Sequence, residues 1–390
     1  MAVDIYKSRP ADELSLDELR LYHQIMDYRA GEGLDAIPLS VALTTTAGRH
    51  VVDTRANIWG EDLDLPAGAN LHSWSDAFYY ADGRAPEAMW EAPERLGTGY
   101  RSNGYEITGA GYSSTAAALE GWKESPAHDD ILTNRGSWAS VDYQAIGIGV
   151  DMSSGPGPYA GRIFSVWFGA ATDAGGPPVI RGTSAADEVE GTRFADIVAA
   201  GPGGDRVAGG NGADALRGEG GADHLSGGEG ADRLYGQQGD DRLEGGNGGD
   251  SLYGGGENDL LTGMGGDDYL SGGRGRDTLE GGAGADRLRG GPGADVFDFR
   301  EAGHSRPDAA DEIVDFEPGQ DHVRLTGFDA DTTRSGEQSF DYVGSAWFSG
   351  AAGELRAAYG FIAGDIDGDQ RTDFRIDVGE DGVSRGDLWL

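Results

Sequence analysis

Aspartates recur at every ninth position through the middle of the chain, and glycines fill most of the positions just before them. The register runs without a slip from Asp187 to Asp295. Carboxylate oxygens, and the backbone carbonyls that glycines leave exposed, are hard ligands, and calcium takes six to eight of them. We therefore expect aspartates two repeats apart, on stacked turns, to enclose calcium ions together with carbonyl oxygens.

An apolar side chain stands two positions after each of these aspartates, from Val189 to Phe297. The three residues around it are enough for a short strand that directs it into a core, and the glycines permit positive φ angles in the turns. One such unit cannot bury its apolar residue alone, whereas a stack of units shares one core. The alternative is a disordered glycine and aspartate tract, which we expect for the calcium-free chain.

The repeats GGEGADRLY at 227–235, GGNGGDSLY at 245–253 and GGAGADRLR at 281–289 resemble the calcium-binding nonapeptide of RTX proteins. That nonapeptide reads G-G-x-G-x-D-x-U-x, where U is a large apolar residue. The resemblance implies an all-β parallel β-roll over residues 180–298 that binds several Ca2+ ions. The expected calcium ligands are Asp205, Asp214, Asp223, Asp232, Asp241, Asp250, Asp259, Asp268, Asp277, Asp286 and Asp295.

Two segments depart from the repeat. Residues 182–199 keep Asp187 and Asp196 but lack most of the glycines, which favours a capping end that pairs strands without full ion sites. Glu257 replaces a glycine in GGGENDLLT. The pattern therefore does not predict an ion at that turn as it does elsewhere.

The chain of 390 residues is long enough for two or three domains, and its formal net charge is −38. Such a charge repels nucleic acid and anionic membrane surfaces, so we expect neither as a partner. Crowded carboxylates also repel each other, which makes calcium the expected counter-ion. The chain has no cysteine, which excludes disulfides, thiol catalysis and cysteine-ligated zinc.

No apolar run reaches the roughly 20 residues that a membrane-spanning helix needs, so no transmembrane segment is expected. The first residues, MAVDIYKSRPADELS, lack the apolar stretch of a signal peptide. We expect an extracellular protein that is secreted by a route that uses no N-terminal signal peptide.

The first part of the chain predicts a mixed helical and β domain. Ser15 and Glu18 have the spacing of a capping box at the start of an amphipathic helix, and a second helix is expected from Ser40. The segment STAAALEGWKESP predicts a third helix. AIGIGVDM and GRIFSVWFG then predict two paired strands.

Residues 13–170 resemble the CAP superfamily, also called SCP domains, which groups cysteine-rich secretory proteins, antigen 5 and plant pathogenesis-related proteins. The likeness rests on the helix end YRAGEGL, on HSWSD, on GYEI where the family reads Gly-Glu-Asn, on GWKESPAH, and on the closing strands GIGVD and VWFG. The order and spacing of these segments carry it. The resemblance implies an α+β domain over residues 1–175, an α-β-α sandwich with a cleft lined by histidines and glutamates.

By this resemblance His72, Glu106 and His128 face the cleft. Two imidazoles and a carboxylate suit Zn2+ or another divalent ion. The alternative is a metal-free polar cleft held by hydrogen bonds. We expect the remaining histidines to be surface or local packing residues: His23, His50, His224, His304 and His322.

Residues 13–170 contain neither the zinc-protease motif H-E-x-x-H nor the hydrolase motif G-x-S-x-G. Members of the CAP superfamily differ in activity, so the resemblance implies the fold rather than the chemistry. We expect the domain to recognise an extracellular ligand or surface, such as a lipid, an envelope component or a host surface. The alternative is an extracellular metal-assisted hydrolase or protease with His72, Glu106 and His128 as its candidate catalytic residues.

Residues 299–390 end the repeat and resemble the β-rich C-terminal part of serralysin-type proteins and related RTX exports. The resemblance implies a cap on the roll and an uncleaved signal for the type I secretion machinery. Asp365, Asp367, Asp369 and Asp373 have a calcium-like spacing, although the glycine and the final acid of an EF-hand are misplaced. An extra calcium ion and a solvated acidic turn are both open at this loop.

Overall fold

The computed structural model describes residues 13–59, 72, 74, 89, 91–102, 104–153, 162–327, 329–334, 338–358, 360–379 and 382–390. Residues 1–12 of the N-terminal stretch considered for a signal peptide, and the neighbours of His72 in HSWSD other than Trp74, lie outside these ranges. The chain divides into two compact units, Met1–Arg181 and Gly182–Leu390. The segments expected to form the roll and its C-terminal cap thus belong to one unit.

The helices of the first unit begin where the sequence places caps. Ser15 and Glu18 form the expected capping box, and the Ser40 side chain accepts the Leu43 N–H. A carboxylate oxygen of Glu18 also accepts the Val150 N–H at 2.9 Å, which ties the first helix to the sheet. The helices are α1 Leu16–Gly31, α2 Val41–Asp53, continued by a π-helical turn Thr54–Trp59, α3 Ala92–Arg95, α4 Thr115–Lys123 and α5 Pro126–Leu132, with a 3-10 turn at Gly136–Trp138.

A three-stranded antiparallel sheet forms the centre of this unit, in the order β2-β4-β3. Its strands are β2 Gly104–Ala110, β3 Ala145–Asp151 and β4 Ile163–Gly169, and the short β1 Leu14–Ser15 pairs in parallel with β5 Val179–Arg181. The predicted pairing of the two closing strands is confirmed, because Ile146 lies opposite Phe168 in antiparallel register.

Glycines in β3 let α2 approach the sheet closely. A Cβ atom added to Gly147 would lie 2.0 Å from the carbonyl carbon of Leu43, and one added to Gly149 would lie 2.4 Å from that of Ala47. Both contacts are far inside van der Waals range, so side chains at these positions would push the helix away. Strand β3 therefore needs glycine where α2 crosses it.

The repeats of the second unit fold as a parallel β-solenoid of about 7 turns. Successive strands alternate between two parallel sheets, so each strand pairs with the one two places along the chain. The strands are β6 Glu188–Glu190, β7 Ile197–Pro202, β8 Arg206–Asn211, β9 Ala215–Gly220, β10 His224–Glu229, β11 Arg233–Gln238, β12 Arg242–Asn247, β13 Ser251–Gly256, β14 Leu260–Gly265, β15 Tyr269–Arg274, β16 Thr278–Ala283, β17 Arg287–Arg289 and β18 Val296–Asp298.

The apolar residue of every repeat faces the interior between the two sheets, as expected. Leu234 of β11 lies in register with Leu216 and Leu252, and every apolar residue in the series is at most 2% exposed. The register repeats every two nonapeptides, which is one full turn. The core of the roll is thus two stacked columns of leucine and valine, one of which has Phe297 at its last repeat.

The two sheets continue beyond the last repeat. Strand β19 Asp311–Ile313 pairs with β17, and β20 His322–Arg324 pairs with β18. The remaining strands are β21 Asp341–Gly344, β22 Glu354–Ala358, β23 Phe361–Asp365, β24 Phe374–Asp377 and β25 Leu388–Trp389, with a 3-10 turn at Arg385–Asp387. β24 extends the sheet of β19 and β25 that of β20. In the part of the chain that the structure describes, no helix has the length and apolar character to cross a membrane.

Candidate metal centres

The aspartates of the repeats from Asp196 to Asp295 are buried and, together with Asp187, are linked into two ladders. The backbone N–H of each donates to Oδ1 of the aspartate one turn later, for example from Asp232 to Asp250 at 2.8 Å. The same bond joins Asp223 to Asp241 in the other ladder, also at 2.8 Å. One carboxylate oxygen of each aspartate is therefore fixed by the turn before it.

The second carboxylate oxygen, Oδ2, has no hydrogen-bond partner among the described residues. Leaving a buried acceptor without a partner is costly, and more so when it carries charge. The same orphaned atom recurs at twelve aspartates: Asp205, Asp214, Asp223, Asp232, Asp241, Asp250, Asp259, Asp268, Asp277, Asp286, Asp295 and Asp311. A recurrence this regular indicates a common partner that the described residues do not supply.

Glycines shape the space beside each orphaned oxygen. A Cβ atom added to Gly227, the first glycine of its repeat, would lie 2.3 Å from Oδ2 of Asp232 and 2.6 Å from the carbonyl oxygen of Gly245. The absence of a side chain thus leaves a cradle in which a carboxylate and a carbonyl oxygen of the next turn converge. Gly230 has a φ of 135°, and any side chain there would meet the Gly212 carbonyl oxygen at 1.6 Å.

This donor set fits calcium. Carboxylate and carbonyl oxygens are the ligands that Ca2+ takes in proteins, and a dication would neutralise the charges that the ladder brings together. Without a cation, burial raises the pKa of Asp214, Asp259 and Asp268 to about 7, with further increases from neighbouring aspartates. Burial raises the pKa of Asp250 to about 6 for the same reason.

The first two nonapeptides, which form one turn, differ in the way the departures from the repeat suggest. The Thr183 N–H and hydroxyl both donate to Oδ2 of Asp187, and the Thr192 N–H donates to Oδ2 of Asp196 at 2.5 Å. These carboxylates therefore have partners within the chain. Such internal hydrogen bonds are what we expect of a capping end without full ion sites.

Glu257 leaves the ladder intact. The backbone tolerates it with a φ of 73°, and its carboxylate accepts the Gly239 N–H at 3.0 Å. A Cβ atom on Gly254 would still lie 2.3 Å from Oδ2 of Asp259, as in the regular repeats. The cradle at this turn is thus preserved despite the altered sequence.

The acidic loop near the C-terminus brings together three of its four aspartates. Ligand atoms of Asp365, Asp367 and Asp373 lie within 4.8 Å of one another, whereas Asp369 is not part of the group. Backbone N–H groups of the loop already donate to both oxygens of Asp365, at 2.7 and 2.9 Å. The loop is therefore folded on its own hydrogen bonds.

In the first unit, Glu106 and His72 meet as the sequence analysis expects, but they form part of a hydrogen-bonded network. Glu106 of β2 is buried, and its Oε2 contacts Nδ1 of His72 at 2.8 Å. Its Oε1 contacts Nδ1 of His50 and accepts the Ser165 hydroxyl at 2.6 Å. Ser165 in turn accepts the indole N–H of Trp167 at 3.0 Å.

His50 is the residue of this network that the sequence does not indicate as a site residue. The sequence suggests a surface or local packing residue, but His50 is fully buried in α2 and its ring stacks on Trp74 with centroids 4.5 Å apart. The signal available is its position in the helix between Ala47 and Val51, both of which face the core. A histidine on a buried face needs a polar partner.

Electrostatics makes Glu106 an ionised anchor. Burial alone raises its pKa, but the charges and hydrogen bonds of His50 and His72 outweigh burial and lower the pKa to about 2. Burial and the charge of His72 lower the pKa of His128. Among the described residues, His72, Glu106 and His128 do not form a group of three converging metal ligands. The described contacts of Glu106 are hydrogen bonds within the chain.

Comparison with known proteins identifies the repeats of the second unit. The RTX calcium-binding nonapeptide repeat family matches overlapping segments of the roll, namely residues 181–216, 208–243, 217–252, 244–279 and 271–300. No curated protein matches the chain.

Two solved structures show similarity at 20% sequence identity. One is an outer surface protein from Borrelia burgdorferi, where the match covers 39% of this chain and 91% of that chain with a TM-score of 0.27. The other is the AlgE6R3 subunit of the Azotobacter vinelandii mannuronan C5-epimerase, where the match covers 53% of this chain and 79% of that chain with a TM-score of 0.18. TM-scores this low bear on neither fold nor function. Residues 181–300 are, by sequence pattern, family match and strand arrangement, a run of RTX calcium-binding nonapeptide repeats folded as a parallel β-solenoid.

Proposed function

We propose that this protein is secreted and that its β-roll folds outside the cell when calcium binds to the aspartate ladders. The observation that carries the proposal is the series of buried Oδ2 atoms without partners among the described residues, from Asp205 to Asp311. Each needs a cation or a proton, and for a cation the adjoining glycine carbonyls supply further hard oxygens. Calcium is therefore a part of the folded state rather than an addition to it.

The same ladders explain why the roll stays unfolded where calcium is scarce. A carboxylate that is buried without a counter-ion loses its hydration and gains only repulsion from its neighbours. Extracellular calcium-binding modules have dissociation constants of about 0.1–1 mM, a range that a cytosolic calcium level does not reach. Binding free energy then becomes folding free energy once the chain is outside.

Export by a type I secretion machinery fits this order of events. RTX repeat proteins are typically secreted, and the segment 299–390 resembles the C-terminal part of serralysin-type exports. A chain that remains unfolded before export can be threaded through a narrow channel. Folding on calcium outside then opposes its return.

For the first unit we propose recognition of an extracellular ligand through a CAP-like cleft. The support is the hydrogen-bonded network of His50, His72, Glu106 and Ser165, which holds polar side chains in fixed positions. Both oxygens of Glu106 are occupied by these partners, so Glu106 positions the histidines rather than serving as a free base. A metal-assisted hydrolase is the second candidate, with His72, Glu106 and His128 as its candidate residues.

An additional calcium ion on the C-terminal loop is part of the proposal. The support is the convergence of Asp365, Asp367 and Asp373 within 4.8 Å. This ion would fasten the connection between β23 and β24.

A calcium titration of the purified full-length chain tests the central proposal. Circular dichroism should show a cooperative gain of β-structure, reversed by a chelator, with several ions bound per chain. Magnesium is the matched control, because it demands six ligands in a near-ideal octahedron and gives up its water reluctantly. A flat response to calcium, or an equal response to magnesium, would contradict the proposal.

Two further experiments separate its parts. A chain that ends at Ala330 should remain inside an exporting host, whereas unchanged secretion would rule out a C-terminal export signal. For the first unit, His128→Ala should abolish turnover of an extracellular polymer or peptide with binding retained if the domain is a hydrolase. A recognition module has no turnover to lose.

A further inference from the structure

The aspartate ladder continues beyond the last nonapeptide. The backbone N–H of Asp286 donates to Oδ1 of Asp311 at 2.9 Å, the same bond that joins aspartates within the repeats. These two residues are separated by 25 positions instead of 18. Asp311 opens β19, which pairs with β17 in the place of a further turn. The additional residues lie between β18 and β19, after which the chain returns to the ladder.

Other polar groups at this end of the roll have partners within the chain. In the second ladder, Asp321 receives the Asp295 N–H at 3.0 Å on Oδ1 and the Glu317 N–H at 2.8 Å on Oδ2. The N–H groups of Gly290 and Gly291 both donate to the Asp315 carboxylate at 3.0 Å. This end is thus closed by side chains that the chain provides.

Asp311 is the contrast. It is fully buried, and its Oδ2 has no hydrogen-bond partner in the described ranges. The Oδ2 atom of Asp286, one turn before, is likewise buried without a partner in those ranges. The two oxygens continue the row of orphaned atoms found at Asp250 and Asp268. If this end were closed at Asp311 as it is at Asp321, an N–H or O–H group of the described residues would donate to Oδ2 of Asp311.

We propose that Asp286 and Asp311 hold a terminal calcium ion, at a site that the nonapeptide pattern does not contain. The proposal rests on the calcium-driven folding argued above and adds one site to it. Hard oxygen donors and an uncompensated pair of buried carboxylates specify a divalent cation of the calcium type. The ion completes the ladder where the sequence repeat has already ended.

The site is connected to the C-terminal strands. The Ser305 hydroxyl accepts the Asp311 N–H at 2.9 Å and donates to the Arg375 carbonyl at 2.5 Å, and the Arg375 N–H donates to the Ser305 carbonyl at 2.8 Å. Arg375 belongs to β24, which pairs with β19. An ion that fixes Asp311 therefore also fixes the loop to which β24 is attached.

Calcium stoichiometry of full-length variants tests this site. Asp311→Asn should bind one ion fewer per chain than the wild type, measured by equilibrium dialysis and elemental analysis. Asp321→Asn is the matched control, because its carboxylate has the same place in the second ladder but already accepts two N–H groups. It should bind the wild-type number. Asp250→Asn, within the repeats, should bind fewer ions.

The outcomes separate this site from the function on which it rests. A wild-type chain that binds no calcium would overturn both. A loss of ions in Asp250→Asn with an unchanged number in Asp311→Asn would overturn the terminal site alone. Because Asp311→Asn could fail to fold, crystals of the calcium-loaded wild type give a second measurement. An anomalous peak about 2.4 Å from Oδ2 of Asp311 supports the site, and peaks along the repeats without one there overturn it.

Discussion

Asp232 and Asp250 stand one turn apart, and the N–H of the first donates to Oδ1 of the second at 2.8 Å while Oδ2 of each has no partner among the described residues. The two oxygens of one carboxylate thus lie in different surroundings. One joins neighbouring turns, and the other faces the glycine cradle. Hydrogen bonds to Oδ1 therefore hold the ladder together. They leave the negative charge of Oδ2 to be neutralised by a cation or a proton.

The first prediction concerns pH in the absence of calcium. Burial raises the pKa of Asp214 and Asp268 to about 7, above the ordinary value of 3.8 for aspartate. The folded roll therefore holds more protons than the unfolded chain between these values, and its stability falls as the pH rises through this window. In a chelator, lowering the pH from about 7.5 to about 5.5 should increase the β-signal in circular dichroism.

With calcium present, the dependence of folding on pH should reverse, so that a lower pH disfavours the folded roll. Protons compete with the ion for the same carboxylates, so the calcium concentration at half-folding should rise as the pH falls through about 7 to 6. Titrations at several pH values measure this midpoint. A calcium-free chain whose β-signal is indifferent to pH would show that the buried carboxylates do not control folding.

The second prediction tests the cradle. Gly227→Ala places a Cβ atom 2.3 Å from Oδ2 of Asp232, so it should destabilise the calcium-loaded roll by about 1–3 kcal/mol. It should also raise the calcium midpoint. Gly220→Ala is the control, because its Cβ atom would meet nothing within 4 Å. Calcium titrations of both variants check this, and equal midpoints would mean that the space beside Asp232 is not used.

The third prediction concerns the N-terminal end of the roll. Oδ2 of Asp187 already accepts the Thr183 N–H at 2.6 Å, so Asp187→Asn should leave the number of bound ions unchanged. Asp232→Asn removes an oxygen from a cradle and should lower that number by at least one. Ion counting on the two full-length variants distinguishes them. A loss in Asp187→Asn would show that the first turn also binds calcium.

The fourth prediction concerns the buried network of the first unit. Glu106→Gln removes the charge to which His50 and His72 are bonded, and breaking a buried pair in this way costs about 3–5 kcal/mol. Glu120→Gln is the control, because Glu120 is exposed and pairs with Lys123 at the surface. Glu120→Gln should change the free energy of unfolding by no more than about 1 kcal/mol.

Thermal unfolding followed by near-ultraviolet circular dichroism checks this fourth prediction. The signal of the buried Trp74, Trp122 and Trp167 reports on the first unit in the full-length chain. The pKa of Glu106, lowered to about 2, also predicts that its contribution is present above about pH 4 and is lost as the pH falls toward 2. Equal melting temperatures for the two variants would show that the network around Glu106 does not stabilise the first unit.

The repeat was predictable because its physics is local. Asp232 and Leu234 recur at fixed distances, so the inward face, the turns and the ladder follow from one nonapeptide applied many times. Asp311 was not predictable in this way. Its separation of 25 residues from Asp286 breaks the register, and only the pairing of β19 with β17 returns it to the ladder.

The histidine network shows a second limit. A helix from Ser40 is predictable, but the partner of His50 depends on how α2 crosses the sheet. Glu106 lies on another element 56 positions away. Their contact exists because Gly147 and Gly149 allow α2 to lie against β3. Periodicity within a helix identifies its buried face, whereas the residue opposite that face is set by tertiary packing.

The one-turn hydrogen bond between aspartates also restricts how such a chain can change in length. Losing two nonapeptides shortens the roll by a turn and leaves every later residue on its own sheet. Losing one nonapeptide moves all later strands to the opposite sheet. Asp311 would then lie in the other ladder. β24, which is hydrogen-bonded to Ser305, would pair with the wrong sheet. Gene rearrangements that preserve this protein should therefore add or remove repeats in pairs.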